Sequence, residues 1–112
     1  PPHRHLGKSE SFHLVEGRLT VLLFDDHGTI RRRIPMGIGE LGRALFYRVP
    51  PGMYHSMVVE SEWVIFHETT NGPFDREDLA FAPWAPMESD AAGATGYVEM
   101  LTAHLGGAAV HD

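Results

Sequence analysis

The chain has 112 residues, a length that fits one domain around one hydrophobic core. Hydrophobic residues make up 43% of it and cysteine is absent, which argues against disorder and excludes disulfides, thiolate metal sites and a cysteine nucleophile. The formal net charge of −6 leaves no broad basic surface for nucleic acid or anionic lipid. The chain is rich in histidine, with eight, and histidine is the commonest neutral metal ligand.

Segments that would direct the protein to a membrane or a compartment have recognisable sequence patterns. No run of 18 apolar residues is present, so we expect no transmembrane helix and no membrane partner. The chain opens with Pro-Pro-His-Arg-His and has no initiator Met. We therefore expect it to be the later part of a longer, cytoplasmic chain, whose targeting signals would not be visible here.

The first two thirds of the chain predict short strands between Gly and Pro turns. These strands lie at residues 10–16, 18–24, 29–34, 44–49, 54–60 and 62–69. The first two are predicted to form a hairpin that turns at Gly17, and the last two form another across residues 60–62. Such a pattern indicates an all-β sandwich or small antiparallel barrel.

The last third of the sequence differs from the rest in composition. Residues 71–88 are rich in proline and aromatic residues and predict an extended arm that packs over the barrel. Residues 89–96 read as a linker, and 97–105 as a short helix that ends at Gly106-Gly107. Its apolar face would hold Tyr97, Leu101 and either His104 or Leu105. We therefore divide the chain into a barrel with its arm at 1–88 and a linker with a helical tail at 89–112.

Two histidines near the start have the spacing of a strand pair. His3 and His5 would point to the same face of a strand, about 6–7 Å apart, so both rings could converge on one ion. Glu10 follows a turn-like segment and could return beside them. His55 comes directly after the segment Pro-Pro-Gly-Met-Tyr at residues 50–54, whose rigid turn would aim its side chain inward. Three imidazoles and one carboxylate suit one Fe(II), Mn(II), Ni(II), Co(II) or Zn(II) ion.

These residues carry a family resemblance. The segment His3-x-His5-x4-Glu10-x6-Gly17 resembles the first cupin motif, and Pro50-Pro51-Gly52-x2-His55 resembles the second. The resemblance implies a small antiparallel cupin barrel (a double-stranded β-helix or jelly roll), whose four matching residues hold a metal inside it.

A narrower resemblance extends to Glu88. The segments that carry it are Pro2-His3-Arg4-His5, Phe24-Asp25-Asp26-x-Gly28, Gly72-Pro73-Phe74-Asp75 and Phe81-Ala82-Pro83-Trp84-Ala85-Pro86-x-Glu88. They look like the WbuC-type cupin-fold metalloproteins, a bacterial family named for genes in surface-polysaccharide clusters. The chain departs from it at Val59, where asparagine is frequent, and at Leu79 and Ala80, where charged residues are frequent. Those departures leave the metal residues intact.

Other residues are candidates for catalysis or substrate binding. His67 and Glu68 are adjacent on a predicted strand, so only one of them can face the interior as a general acid or base. Tyr47, Arg48 and Tyr54 flank the second motif and could line a pocket mouth. The parity of the first strand turns His13 away from the metal residues, and His27, His104 and His111 have no predicted role.

Three functions are compatible with these residues. The first is a metal-dependent enzyme, an oxygenase or isomerase, that acts on a small polar metabolite, which the family resemblance implies to be carbohydrate-related. The second is a non-catalytic, metal-bound module that binds or senses such a ligand. The third is a metal-free cupin of the sugar epimerase or isomerase type, which needs a histidine–carboxylate pair. We further expect a homodimer, and no nucleic-acid role for the basic run at residues 31–33.

Overall fold

Two long strands form the frame of the molecule. In the computed structural model, which describes residues 1–71 and 76–110, β2 (Glu10–Phe24) pairs antiparallel with β5 (Tyr54–Thr70) from one end to the other. We call this pair the ribbon. Its sequence is rich in β-branched, aromatic and leucine side chains, which favour the pleated backbone when one face is buried.

Four shorter strands and one helix complete the described structure. They are β1 (His3–His5), β3 (Ile30–Gly37), β4 (Phe46–Val49), β6 (Leu79–Phe81), a 3-10 turn at Arg76–Asp78, and α1 (Ala91–Val110). The sheet order is β3-β2-β5-β1-β6, and β4 pairs with the start of β2. The chain is therefore mostly antiparallel β-sheet with one C-terminal helix. Over the described residues, the strands on this path do not close into a barrel.

The predicted hairpins are wrong, because each pair of predicted strands is a single strand. Residues 10–24 continue through Gly17, and residues 54–70 continue through 60–62. The two strands bend together at this point. Between the pairs Gly17↔Val64 and Leu19↔Val59, β2 has one unpaired residue, whereas β5 has four. The extra residues of β5 make a wide bulge, which turns the strand direction without reversing it.

Gly17 permits the bend. Its φ is 90°, in the region that glycine adopts at little cost. A Cβ atom at this position would lie 2.0 Å from the Trp63 carbonyl oxygen, so no side chain fits without moving the backbone. The Ser61 hydroxyl accepts a 2.9 Å hydrogen bond from the Arg18 amide, which fastens the bulge of β5 to the bend of β2.

The bend brings the two ends of the ribbon face to face. We call residues 10–17 with 64–70 the Glu10 half, and residues 18–24 with 54–59 the His55 half. Phe12 and Leu14 from the first share a buried cluster with Leu19, Val21 and Leu23 from the second. A straight strand would hold residues 10 and 23 about 43 Å apart. Burial of the two facing apolar surfaces therefore holds the ribbon folded.

The other face of the His55 half is covered by α1 and by the segment after β6. Leu22 and Phe24 share a second buried cluster with Leu101 and Leu105, and Tyr97 packs against it. The predicted apolar helix face is confirmed, with Leu105 rather than the exposed His104 as its last member.

The predicted helix is too short at both ends. It begins at Ala91, inside the predicted linker, because Asp90 caps it and accepts a 3.1 Å hydrogen bond from the Gly93 amide. The helix also continues past Gly106-Gly107 to Val110. Within the described residues, no helix combines the length and apolar character that a membrane span requires.

The predicted arm contains some regular structure. Its residues 79–81 form β6, which pairs with β1, although we predicted no strand there. Further on, the Trp84 ring packs against Phe24 and Tyr54, with centroid distances of 4.9 and 5.7 Å. This is the covering role that we predicted for its aromatic residues. Gly72, Pro73, Phe74 and Asp75 lie outside the described residues.

Candidate functional site

Three histidines meet at the start of β1 and β5. His3 and His5 lie two apart on β1, as predicted, and His3 is directly opposite His55 on the antiparallel neighbour β5. The His3 and His55 ring centroids are 4.4 Å apart, and those of His3 and His5 are 5.6 Å apart. The strand register therefore gathers three imidazoles from two distant parts of the chain.

The buried Glu10 carboxylate lies at the centre of these rings. Its Oε2 atom is 2.7 Å from Nε2 of His55, 3.2 Å from Nε2 of His5 and 3.8 Å from Nε2 of His3. Glu10 belongs to one end of the ribbon, and His55 lies beside Leu23 at the other end. The four residues predicted as metal ligands are thus brought together, and the fold of the ribbon is what joins them.

The second nitrogen of each ring faces an oxygen acceptor. Nδ1 of His3 lies 3.1 Å from the Pro1 carbonyl, and Nδ1 of His55 lies 3.0 Å from the Met53 carbonyl. Nδ1 of His5 lies 3.5 Å from Oδ2 of Asp78. A carbonyl only accepts hydrogen bonds, so Nδ1 of His3 and His55 carries the hydrogen. Each Nε2 is then free to bind a metal, or it carries a second proton that bonds to Glu10.

The neighbouring His3 and His55 keep the Glu10 carboxylate ionised. Burial raises the pKa of the carboxyl, but hydrogen bonds and positive charge from His55 and His3 outweigh burial and lower the pKa from 4.5 to about 2. Glu10 is therefore an anion at neutral pH. An anionic oxygen beside three imidazoles is a donor set that divalent transition metals prefer.

Hydrogen bonds from the segments before His55 and Glu10 fix the backbone around the four converging residues. The Gly52 amide donates a 2.6 Å hydrogen bond to the His5 carbonyl, which ties the turn before His55 to β1. Before Glu10, the Ser9 amide donates to Oδ1 of Asn71 at 2.9 Å. The Arg48 guanidinium donates from Nε to the Ser9 hydroxyl at 2.9 Å. These contacts hold the starts of β2 and β5 in place without using the four converging side chains.

Asp78 is the residue at this site that sequence reasoning missed. Its Oδ1 atom accepts a 2.6 Å hydrogen bond from the Gly7 amide, and its main-chain carbonyl accepts one of 2.8 Å from the Leu6 amide. Its Oδ2 atom is buried, makes no hydrogen bond to a described residue, and faces Nδ1 of His5. Asp78 is 73 residues from His5 in the sequence, and no motif spacing links the two.

A cavity of about 330 Å³ opens beside three of the four residues, His3, Glu10 and His55. Its described lining residues are Pro1, His3, Glu10, Phe12, His55, Ser56, Met57, Phe66 and Glu68. Glu68 is exposed and pairs with Phe12 across the ribbon, on the same face as Glu10. His67 pairs with His13, and both are exposed on the opposite face. Of the two adjacent candidates for proton transfer, Glu68 therefore faces the cavity.

The structure does not bring the three predicted pocket-mouth residues to this cavity. Tyr54 is buried beneath the Arg4 guanidinium, which lies 4.6 Å from its ring centroid. Tyr47 packs against the buried cluster between the ribbon halves. Arg48 reaches the Ser9 hydroxyl, and none of the three is among the described residues that line the cavity. Their strand positions were predicted, but the faces that they occupy were not.

The remaining histidines lie apart from the centre. His13 is exposed, and its ring centroid is 6.3 Å from that of Phe46. The His27 amide hydrogen-bonds to the Asp25 carboxylate in the turn after β2. His104 is on the exposed side of α1 and contacts Arg33. His111 lies outside the described residues.

One family model and one solved structure are similar to the chain. A family model described as a domain of unknown function (DUF6016) matches residues 1–36, a segment that includes His3, His5 and Glu10. No curated protein sequence matches the chain significantly. The X-ray crystal structure of protein SO0799 from Shewanella oneidensis is similar to this chain, with a TM-score of 0.57 and 16% sequence identity. The alignment covers 90% of this chain and 63% of that chain, and it is a likeness of fold alone.

Proposed function

We propose that the chain is a divalent-metal-binding cupin protein that binds, or acts on, a small metabolite beside His3, His5, Glu10 and His55. One observation carries the proposal. Three Nε2 atoms surround a single carboxylate oxygen, and each Nδ1 atom faces an acceptor that orients its ring. Oriented imidazoles of this kind are typical of metal ligands in proteins.

The cupin assignment and its WbuC-type subdivision belong to the same proposal. They are supported by the two sequence motifs and by the folded ribbon, which puts residues from both motifs on one side of a cavity. Fe(II), Mn(II), Ni(II), Co(II) and Zn(II) all accept this donor set, and the residues do not choose among them.

Each group around the cavity would have a distinct task. A bound divalent ion would supply a Lewis acid for a ligand oxygen. The carbonyls of Pro1 and Met53 orient His3 and His55, and the Asp78 carboxylate would orient His5, whose Nδ1 atom it faces at 3.5 Å. Glu68 lines the cavity and could exchange a proton with the ligand, as an oxygenase or isomerase would need. A sensor would use the same residues to bind its ligand without turnover.

Metal content tests this proposal. Protein purified without an affinity tag and without added metal is expected to contain close to one transition-metal ion per chain. Removing the ion by chelation should lower the melting temperature by about 10 °C, because a metal present at 100 times its Kd stabilises the folded state by about 2.7 kcal/mol. Absence of metal, together with no heat of binding on titration with any of the five ions, would refute the proposal.

A second candidate is a metal-free acid–base site of the epimerase or isomerase type. The observation that favours it is the 2.7 Å hydrogen bond between His55 and Glu10, a histidine–carboxylate pair beside the cavity. This candidate explains neither why His3 and His5 converge on the same oxygen nor why their rings are oriented. It becomes the better account if the protein takes up no metal. The homodimer and the absence of a nucleic-acid partner stay predictions.

Replacing Asp78 by asparagine is expected to lower the metal affinity about 10- to 100-fold, because a carboxylate behind a metal-binding histidine fixes the ring and raises its basicity. Titration of both proteins with Zn(II) measures the change. Asp26→Asn, which removes an exposed carboxylate near Arg4, serves as the control. Equal affinities for Asp78→Asn and the native protein would show that Asp78 has no part in the site.

A further inference from the structure

The cavity beside the candidate centre has a carboxylate that is not one of its four converging residues. Glu68 lines the cavity on β5, and its cross-strand partner is Phe12 on β2. Phe66, two residues before Glu68, lines the same wall, and its ring lies 5.8 Å from that of Phe12 in an edge-to-face arrangement. The cavity thus has an acidic group, an apolar surface, and the imidazole–carboxylate centre.

The strand register sets the distance between the centre and this acidic group. Glu10 pairs with Thr70, and Phe12 pairs with Glu68, so Glu68 is the diagonal neighbour of Glu10 across the ribbon. Diagonal neighbours in an antiparallel pair lie about 7–8 Å apart. A ligand with one oxygen at the centre would therefore reach Glu68 with a second group about four bonds away.

The residues that line the cavity restrict the chemical nature of the ligand group that reaches Glu68. A carboxylate accepts hydrogen bonds and attracts cations, and its hydrogen bonds to charged donors are the stronger ones. The surface between the two ends is formed by the Phe12 and Phe66 rings, which favour hydrocarbon over further polar groups. A metal ion at the centre would attract an anionic oxygen at the opposite end.

We propose that the ligand of this cavity is a small zwitterion, with an anionic oxygen at the metal centre, a short hydrocarbon segment against Phe12 and Phe66, and an ammonium group at Glu68. Glu68 is then the residue that determines specificity. The inference rests on the proposed function and narrows its polar metabolite to an amino-acid-like molecule.

Two hydroxamates of equal size test the proposal, since a hydroxamate binds metal through oxygen. β-Alanine hydroxamate ends in an ammonium group, whereas butanohydroxamate ends in a methyl group at the same position. Zn(II) affinity is measured first, and each hydroxamate is then titrated into the Zn(II)-loaded protein by calorimetry. We expect the native protein to prefer β-alanine hydroxamate about ten-fold. The preference should fall to two-fold or less in Glu68→Gln, with Zn(II) affinity unchanged.

The control is Glu62→Gln, which removes an exposed carboxylate from the same strand outside the cavity lining and should keep the preference. Equal binding of the two probes by the native protein would overturn this inference alone, as would a preference that survives in Glu68→Gln. If the native protein does not bind Zn(II), the two probes are titrated into protein loaded with another of the five ions. Failure to bind any of the five would overturn the proposed function and this inference with it.

Discussion

Replacing Glu10 by glutamine is expected to lower the affinity for Zn(II) by a factor on the order of 10³. The carboxylate is the one anionic group among the four converging residues, and it is buried within 2.7 to 3.8 Å of all three histidines. Glutamine keeps the shape and loses the charge, so the metal loses its anionic ligand. The loss should exceed the 10- to 100-fold effect typical of residues that only orient a ligand. Calorimetric titration of both proteins measures it.

Acid unfolding of the metal-free protein independently tests the effect of Glu10→Gln. The pKa of Glu10 in the folded protein, about 2, is below the ordinary value of 4.5. Ionised Glu10 therefore contributes stability that is complete above about pH 4.5 and is lost as the pH falls towards 2. Glu10→Gln should lack this part of the pH dependence.

The control variants for Glu10→Gln are Glu62→Gln and His27→Gln, which change an exposed carboxylate and a turn histidine away from the centre. Both should bind Zn(II) as the native protein does. Unchanged Zn(II) affinity in Glu10→Gln would contradict the assignment of Glu10 as a ligand. A loss of the same size in His27→Gln would point to a different metal site.

Replacing Gly17 by alanine is expected to destabilise the fold by about 3 kcal/mol or more. A side chain at a φ of 90° is strained, at a cost of about 1–3 kcal/mol. The added Cβ would also lie 2.0 Å from the Trp63 carbonyl oxygen, so the backbone of the bulge must move. The measurement is the free energy of unfolding in urea, and a fall of about 10 °C in melting temperature should accompany the change.

Gly39 offers a matched control, because its φ is 70° and a Cβ there would meet nothing within 4 Å. Gly39→Ala should cost only the backbone strain, about 1 kcal/mol. The difference between the two variants isolates the close contact at the bend. If both substitutions cost the same, the Trp63 carbonyl does not exclude a side chain at Gly17.

The four converging residues could be predicted from the sequence, because motif spacing and strand parity are local properties. His3 and His5 needed only the two-residue period of a strand, and His55 needed only the turn before it. Their meeting with Glu10 depends on the fold of the ribbon, and local sequence was misleading there. A glycine with positive φ serves a hairpin turn and a bend equally well, so Gly17 was interpreted as a turn.

The position of Asp78 and the start of α1 could not be predicted from the local sequence. Asp78 reaches His5 because β6 pairs with β1, a contact between segments more than 70 residues apart. The start of α1 at Ala91 was missed because small residues and Gly93 suggested a linker, whereas packing of Leu101 and Leu105 against the sheet stabilises the whole helix. Tertiary contacts decided both features.

The proposed function requires one metal site built from the two ends of the folded ribbon. The most direct measurement is an anomalous difference map, at the zinc absorption edge, of a crystal grown with one equivalent of Zn(II). We predict a single strong peak bound by Nε2 of His3, His5 and His55 and by the Glu10 carboxylate. A strongest peak elsewhere, or no peak beside Glu10, would contradict the account.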